Sequence, residues 1–458
     1  AAQAVMQEWT TRLRDEAQAI THLEHALRLD PQDAAAMDAI APLYTRAGRS
    51  EQWVALMQDK LRLETDPARQ AELRRVIARM LTTLPGREAD ALNAWRKVRD
   101  DAGGDTETLE ALRSLLGEGN EAELADVLAA LAATADGESE DDLIGLRMLY
   151  VQQAGLLDKL GREKEAAAAL RAALDADPEH MPSVRRRVAI CERAQDHPGL
   201  VDALERQMAI TEDADLQVPI AERIIKLSRE TLATPERAVP AYTAWITAEP
   251  TALPPLVGLA EVYGLTGQPE YQRDVLDRLV AVSHGTDVKL SYRYAREVAK
   301  VCHEKLDDAE GAYQRLLPGT LAGDEQSEQA LHALALATGR AVMLGDLYAG
   351  MAHQQGGGAG SKARWLLARD VYAEHAKDGP KALDALLRAF ALDLDDAALL
   401  DEVDAMVVAQ EAYPRLEQVY ETLLRRTETP DAKVALLLRH AGILETKAAA
   451  PGDALDRV

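Results

Sequence analysis

His22 and His25 lie three residues apart, a spacing that puts two imidazoles on one helix face within reach of a single metal ion. No third ligand accompanies them, so ordinary surface histidines are the simpler reading and no metal is expected. His303-Glu304 resembles the start of a zinc-protease helix, but the second histidine four residues on is missing. The run Gly356-Gly357-Gly358-Ala359-Gly360 lacks the Lys-Ser or Lys-Thr with which a phosphate loop holds its ligand. Cys191 and Cys302 each sit beside apolar residues, as core thiols do, with no identifiable base. The sequence holds no dinucleotide fingerprint, no CxxC and no calcium loop. Neither catalysis nor a cofactor is expected.

One charge pattern does stand out. In a chain of net charge -25, basic residues gather at Arg69, Arg74, Arg75 and Arg79, at Arg223, Lys226 and Arg229, and at Lys289, Arg293, Arg296 and Lys300. They gather again at Lys362, Arg364 and Arg369, and at Lys433 and Arg439, with Arg185, Arg186 and Arg187 forming a further cluster. Such groups can hold carboxylates of a partner. The competing reading is pairing with neighbouring acidic helices, worth roughly tenths of a kcal/mol per surface pair.

The elements that carry these residues repeat. Ala19, Ala89, Ala166, Ala238, Ala309, Ala382 and Ala454 recur at steps of 70 to 77 residues, each in a similar helical stretch. A second ladder of Leu56, Leu128, Leu204, Leu276, Leu347 and Val419 runs half a period behind, so the unit is about 36 residues long. Within residues 150–178, Tyr150, Ala154 and Leu157 mark one helix face, Leu160-Gly161 a break, and Ala166, Leu170, Ala173 and Leu174 a second helix. Asp177-Pro178 ends it, because proline cannot continue a helix. Turn glycines recur at Gly48, Gly119, Gly267 and Gly339 in alternate units, which makes two units the true period. The acidic runs from Glu138 to Asp142 and from Asp393 to Asp396 fall at unit junctions, where they can cap helix N-termini.

The set Ala166, Leu170, Ala173 and Pro178 resembles the tetratricopeptide (TPR) family at its defining positions. It returns as Ala19, Leu23, Ala26 and Pro31, in altered form as Ala238, Tyr242, Trp245 and Pro250, and without the proline as Ala382, Leu386 and Ala389. The whole chain is similar to the long, degenerate TPR arrays of large bacterial scaffold proteins. That resemblance implies an all-α solenoid of helix pairs in a right-handed superhelix, with first helices lining a concave groove. Residues 1–458 then form a single solenoid of about twelve complete units plus a partial one, with a hinge at 356–360. The basic groups on first helices become candidates for holding an acidic peptide: Arg75, Arg79, Arg223, Lys226, Arg293, Arg296, Arg364, Arg369 and Arg439.

The chain breaks off at Asp453-Ala454-Leu455, a few residues into a helix that earlier copies complete. It reads as a fragment of a longer array or as an end that packs on another subunit, against ragged terminal disorder. Two cysteines and no apolar run near the ~18 residues of a bilayer span fit a cytoplasmic protein without membrane insertion, a removed leader aside. The acidic balance and the scarcity of aromatic residues disfavour nucleic acid. The expected function is a non-catalytic scaffold with protein partners, acidic segments among them. Homo-association into a larger structure is one alternative, and a helical accessory region of a larger enzyme is another.

Overall fold

The structure, a computed structural model, describes residues 16–135 and 137–447, with side chains through residue 445 in the last helix. The described residues are helices joined by short turns and include no strand. They fall into two compact units that divide between Ala248 and Glu249. The first holds α1 (Glu16–Leu29), α2 (Ala34–Arg46), α3 (Ser50–Leu63), α4 (Pro67–Thr83), α5 (Glu88–Ala102), α6 (Thr106–Leu115) and α7 (Glu121–Thr134). It continues with α8 (Glu140–Lys159), α9 (Glu163–Ala176), α10 (Met181–Arg193), α11 (His197–Ala209), α12 (Ala214–Lys226) and α13 (Val239–Ala248). The second holds α14 (Leu253–Leu265), α15 (Pro269–His284), α16 (Val288–Leu306), α17 (Ala309–Leu321), α18 (Glu325–Ala337) and α19 (Ala341–Gln354). After these come α20 (Ala359–Asp370), α21 (Gly379–Ala391), α22 (Ala397–Ala409), α23 (Tyr413–Arg426) and α24 (Pro430–Lys447). Inside each unit helices pack on their sequence neighbours, as stacked hairpins must.

Even-numbered helices open the hairpins and odd-numbered helices close them. At the tip of each hairpin stands one residue with left-handed φ: Gly48, Gly86, Gly119, Gly161, Gln195 and Ala233 in the first unit, and Gly267, Asp307, Gly339, Lys377 and Glu411 in the second. Steps between these residues alternate between 38–42 and 32–34. The cause lies in the opening helices. α4, α8 and α16 have 17, 20 and 19 residues, and α12 and α20 run on into π-helical turns at Leu227–Thr231 and Val371–Ala376. Between them α2, α10, α14, α18 and α22 have 13 residues each and α6 has 10. Long and short openers alternate, and this makes two hairpins the period. A π-helical turn inserts a residue into the ladder without ending the helix.

Small residues at the crossings let the helices close up. Ala166, Leu170 and Ala173 are fully buried, as are Ala382, Leu386 and Ala389. Two rungs of the alanine ladder need correction. Ala89 is exposed in the first turn of α5, and the buried trio there is Ala91, Trp95 and Val98. Ala309 is only half-buried at the start of α17, where Ala312, Leu316 and Gly319 take the crossing. Alanine suits an exposed helical position as well as a buried one, so its identity does not fix the register. Ala454 lies outside the described residues, as does the break at 453–455. On the second ladder Leu56, Leu128, Leu204 and Leu276 are buried, whereas Leu347 and Val419 are half-buried beside the buried Tyr348 and Tyr420.

The glycine run 356–360 turns α19 into α20, with Gly356, Gly357 and Gly358 at φ of +72°, +158° and +92°. The buried Ser361 hydroxyl donates to the Ala352 carbonyl across it at 2.8 Å. The corrected register is open to a direct check. Overpacking by Ala91→Leu is expected to cost about 1–3 kcal/mol, and Ala89→Leu less than about 0.5 kcal/mol, in urea unfolding of the full chain. Equal losses would put the crossing elsewhere.

Candidate functional site

Many of the opening helices are fixed at their starts by acidic caps, although α10, α14 and α20 have no side-chain cap. Asp33, Asp66, Asp105, Asp213, Asp287, Asp324 and Asp396 each accept backbone N–H bonds at the N-termini of α2, α4, α6, α12, α16, α18 and α22. Ser139 and Asp142 form a reciprocal capping box on α8. The acidic junctions at 138–142 and 393–396 therefore contain helix caps.

Seven of the nine groove candidates bind a carboxylate on an adjacent opener, before or after their own. Arg75 Nη2 lies 2.8 Å from Asp105, and Arg79 donates twice to Glu107 at 2.5 and 2.6 Å, joining α4 to α6. Arg223 on α12 meets Glu192 on α10. Arg296 reaches from α16 to Asp324 at 2.6 Å and Gln326 at 2.7 Å. Arg364 on α20 grips both oxygens of Glu328 on α18, and Arg369 on the same helix meets Glu402 on α22. Arg439 on α24 donates to Asp404 at 2.8 and 2.6 Å and to Asp401 at 2.5 Å. The two remaining candidates differ. Arg293 is 65% exposed and approaches only Glu297 of its own helix, at 3.6 Å, and Lys226 is exposed without an ion pair among the described residues.

These pairs give the opener layer of the second unit an alternating sign: basic α16, acidic α18, basic α20, acidic α22 and basic α24. The closing helices do the same on their own side, through Arg96 and Arg99 with Glu123, Arg315 with Asp277, and Lys381 with Asp346. Hydrogen bonding from Arg79 holds Glu107 below the usual carboxylate range. Each exposed pair is worth about 0.2–1 kcal/mol, so the layer sets register more than it supplies stability.

A buried polar cluster under α24 has no counterpart in the sequence reading. Tyr420 is fully buried and donates from its hydroxyl to Asp404 Oδ2 at 2.8 Å. The His440 ring, 1% exposed, stacks on Tyr420 at 4.6 Å and 8°. Neither His440 nitrogen has a hydrogen-bond partner, nor does Asp404 Oδ1. Burial pushes the Tyr420 hydroxyl and the Asp404 carboxyl upward, the latter against hydrogen bonds from Arg439 and Tyr420. Burial pushes His440 below its ordinary 6.5. One period earlier Tyr348 is likewise buried, its hydroxyl 3.1 Å from His332 Nδ1, and Arg364 lies over its ring. The 72-residue step from Tyr348 to Tyr420 was the available signal.

Among the described residues, no group of three or more His, Cys, Asp or Glu could hold a metal ion. His22 and His25 are both exposed on α1. Cys191 and Cys302 are free and fully buried, and desolvation pushes both thiols up. No described helix is long and apolar enough to cross a membrane.

Stacked helical hairpins of this kind define a TPR-like repeat protein. Residues 149–180, spanning most of α8 and all of α9, match the family model described as tetratricopeptide repeat. Among curated proteins none matches the chain. Solved structures that resemble it include one of Naa15/Naa10 bound to HypK-THB, at 14% identity over 100% of this chain and 67% of that one, with a TM-score of 0.31. The Cut9-Hcn1 hetero-tetramer of APC/C gives 14% identity over 100% and 89%, with a TM-score of 0.20. A human IFIT1 dimer with m7Gppp-AAAA gives 13% over 84% and 88%, with a TM-score of 0.24. At these TM-scores none of the three bears on what this chain does.

The buried imidazole makes stability depend on pH with a definite sign. His440 has a depressed folded pKa, so the unfolded chain takes up the proton first as pH falls below 6.5. Stability is therefore lost as pH drops from 6.5 toward the lower folded value. His440→Phe keeps the ring stack and removes the proton site. Urea unfolding at a series of pH values is expected to show a flatter slope below neutrality for the variant, whereas an unchanged slope would mean that His440 is not buried in neutral form.

Proposed function

We propose that this chain is a non-catalytic scaffold that holds partner proteins along its opener layer. Repeats of the TPR type typically serve as binding scaffolds, and the observation that supports this reading most is the layer itself. Within each unit, successive openers present a row of charged side chains. Acidic segments of a partner engage first at the least committed cations, Lys226 within the first unit and, separately, Arg293 within the second, whose Glu297 lies 3.6 Å away. Carboxylates are near even there, since Glu222 and Glu230 share the cleft of Lys226. The other seven candidates would have to exchange an intramolecular carboxylate for one from the partner, with little net gain.

Charge reversal at these two positions tests the reading without breaking the inter-helix pairs. Full chain and a Lys226→Glu, Arg293→Glu variant would be immobilised and offered extract of the native source at low salt and at about 0.15 M, with mass spectrometry of what is retained. Loss of a protein partner in the variant, and weakening by salt in the wild type, is the expected result. The same set retained by both chains would remove the charged row from the account. Retention of nothing but the chain itself, with a mass that grows with concentration, would favour self-assembly.

A further inference from the structure

Besides Lys226 and Arg293, cations without a short ion pair gather in one cleft of the first unit. A cleft of about 380 Å³ opens across α6, α7, α8 and α10, within the first unit, and its charged lining consists of Arg113, Lys159 and Arg186. No carboxylate lines it. Several guanidinium groups elsewhere in the layer sit close against their carboxylates, as Arg75 does at 2.8 Å and Arg296 at 2.6 Å, although Arg187 and Arg293 hold theirs at 3.6 Å. Here Arg113 reaches Glu110 only at 3.4 Å, and Arg186 reaches Asp158 at 3.4 Å while the other oxygen of that carboxylate is taken by Arg193. Lys159 forms no ion pair among the described residues, and its nearest influence is a through-space attraction for Glu121. In a strongly acidic chain, three cations from three helices face one cavity that no carboxylate lines, two of them holding their counter-ions only at 3.4 Å.

The floor of the cleft is apolar. Leu124 and Leu128 rise from α7 and Leu156 from α8, with Leu128 fully buried. Gly155 lies among them. A Cβ at that position would stand in ordinary van der Waals contact, 3.5 Å, with both Nη1 and Nη2 of Arg186, which places the guanidinium beside the α8 backbone. Gln152 accepts from Arg113 Nη2 at 3.3 Å on the opposite side and steadies the other guanidinium.

We infer that this cleft is a binding site for a small amphiphilic anion, an oxyanion carried on a short apolar body. The oxyanion would replace two long ion pairs with short charge-assisted hydrogen bonds from Arg113 and Arg186. Lys159 adds its charge at the rim, and the apolar body covers the leucines. The volume suits a ligand of modest size. The inference goes beyond the scaffold reading and does not depend on it.

Calorimetric titration of the full chain with hexyl phosphate, hexanoate, inorganic phosphate and hexanol separates the two parts of the recognition. Saturable binding of hexyl phosphate at one site is expected, weaker for hexanoate and for inorganic phosphate, and none for hexanol. The Arg113→Gln, Arg186→Gln double variant should weaken hexyl phosphate at least tenfold. Gly155→Leu, which keeps all three cations and fills the floor, should weaken it as much, and Arg425→Gln at a separate exposed pair should leave it unchanged. Hexanol binding as well as hexyl phosphate would overturn the inference. So would a double variant or a filled cleft that binds like the wild type, or loss in the Arg425→Gln control.

Discussion

Close approach of neighbouring helices through small side chains is the constraint from which the remaining features follow. Ala166 and Ala173 on α9 and Ala382 and Ala389 on α21 leave no accessible surface at their crossings. Gly345 on α19 goes further: a Cβ there would stand 2.4 Å from the ring of the buried Tyr372, and one at Gly319 would stand 2.5 Å from Ser327 Oγ. Crossings this tight fix the separation of successive openers. An arginine on one opener then spans to an adjacent one, which is why the partners of Arg79, Arg296, Arg364 and Arg369 stand 28 to 36 residues away in sequence.

The two-hairpin period has a geometric origin and an electrostatic companion. Openers alternate in length, and most of the long ones, α4, α12, α16 and α20, carry the basic clusters, while the short α6, α18 and α22 carry their carboxylate partners. α8 departs from this rule. It is long, yet it starts with Glu140, Asp141 and Asp142 and holds Gly155 where it faces α10. Arg113 and Arg186 on its two neighbours, which hold their carboxylates only at 3.4 Å, lie where that alternation of sign fails.

Much of this organisation was legible from residue types. Helix-forming composition, the buried trio of α9 and the step of two units pointed to stacked hairpins. Register was less legible because alanine marks both crossings and exposed turns, as Ala89 and Ala309 show. Five hairpin tips were hidden for a related reason: Gln195, Ala233, Asp307, Lys377 and Glu411 adopt left-handed φ without being glycine, at a cost of roughly 1–2 kcal/mol each that packing must offset. The basic residues were visible as clusters. Their carboxylate partners on an adjacent opener were not, since pairing across ~30 residues depends on helix separation and crossing geometry.

Alternation of long and short openers as the organising unit can be tested by deletion in the second unit. Removing residues 268–339 splices one hairpin tip to the tip two hairpins on and keeps the alternation, whereas removing residues 268–307 brings two short openers together. Because neighbouring interfaces carry the stability of such arrays, the larger deletion is predicted to unfold in urea as cooperatively as the intact second unit, and the smaller one over a broad transition. A smaller deletion that unfolds as sharply as the larger one would contradict the account.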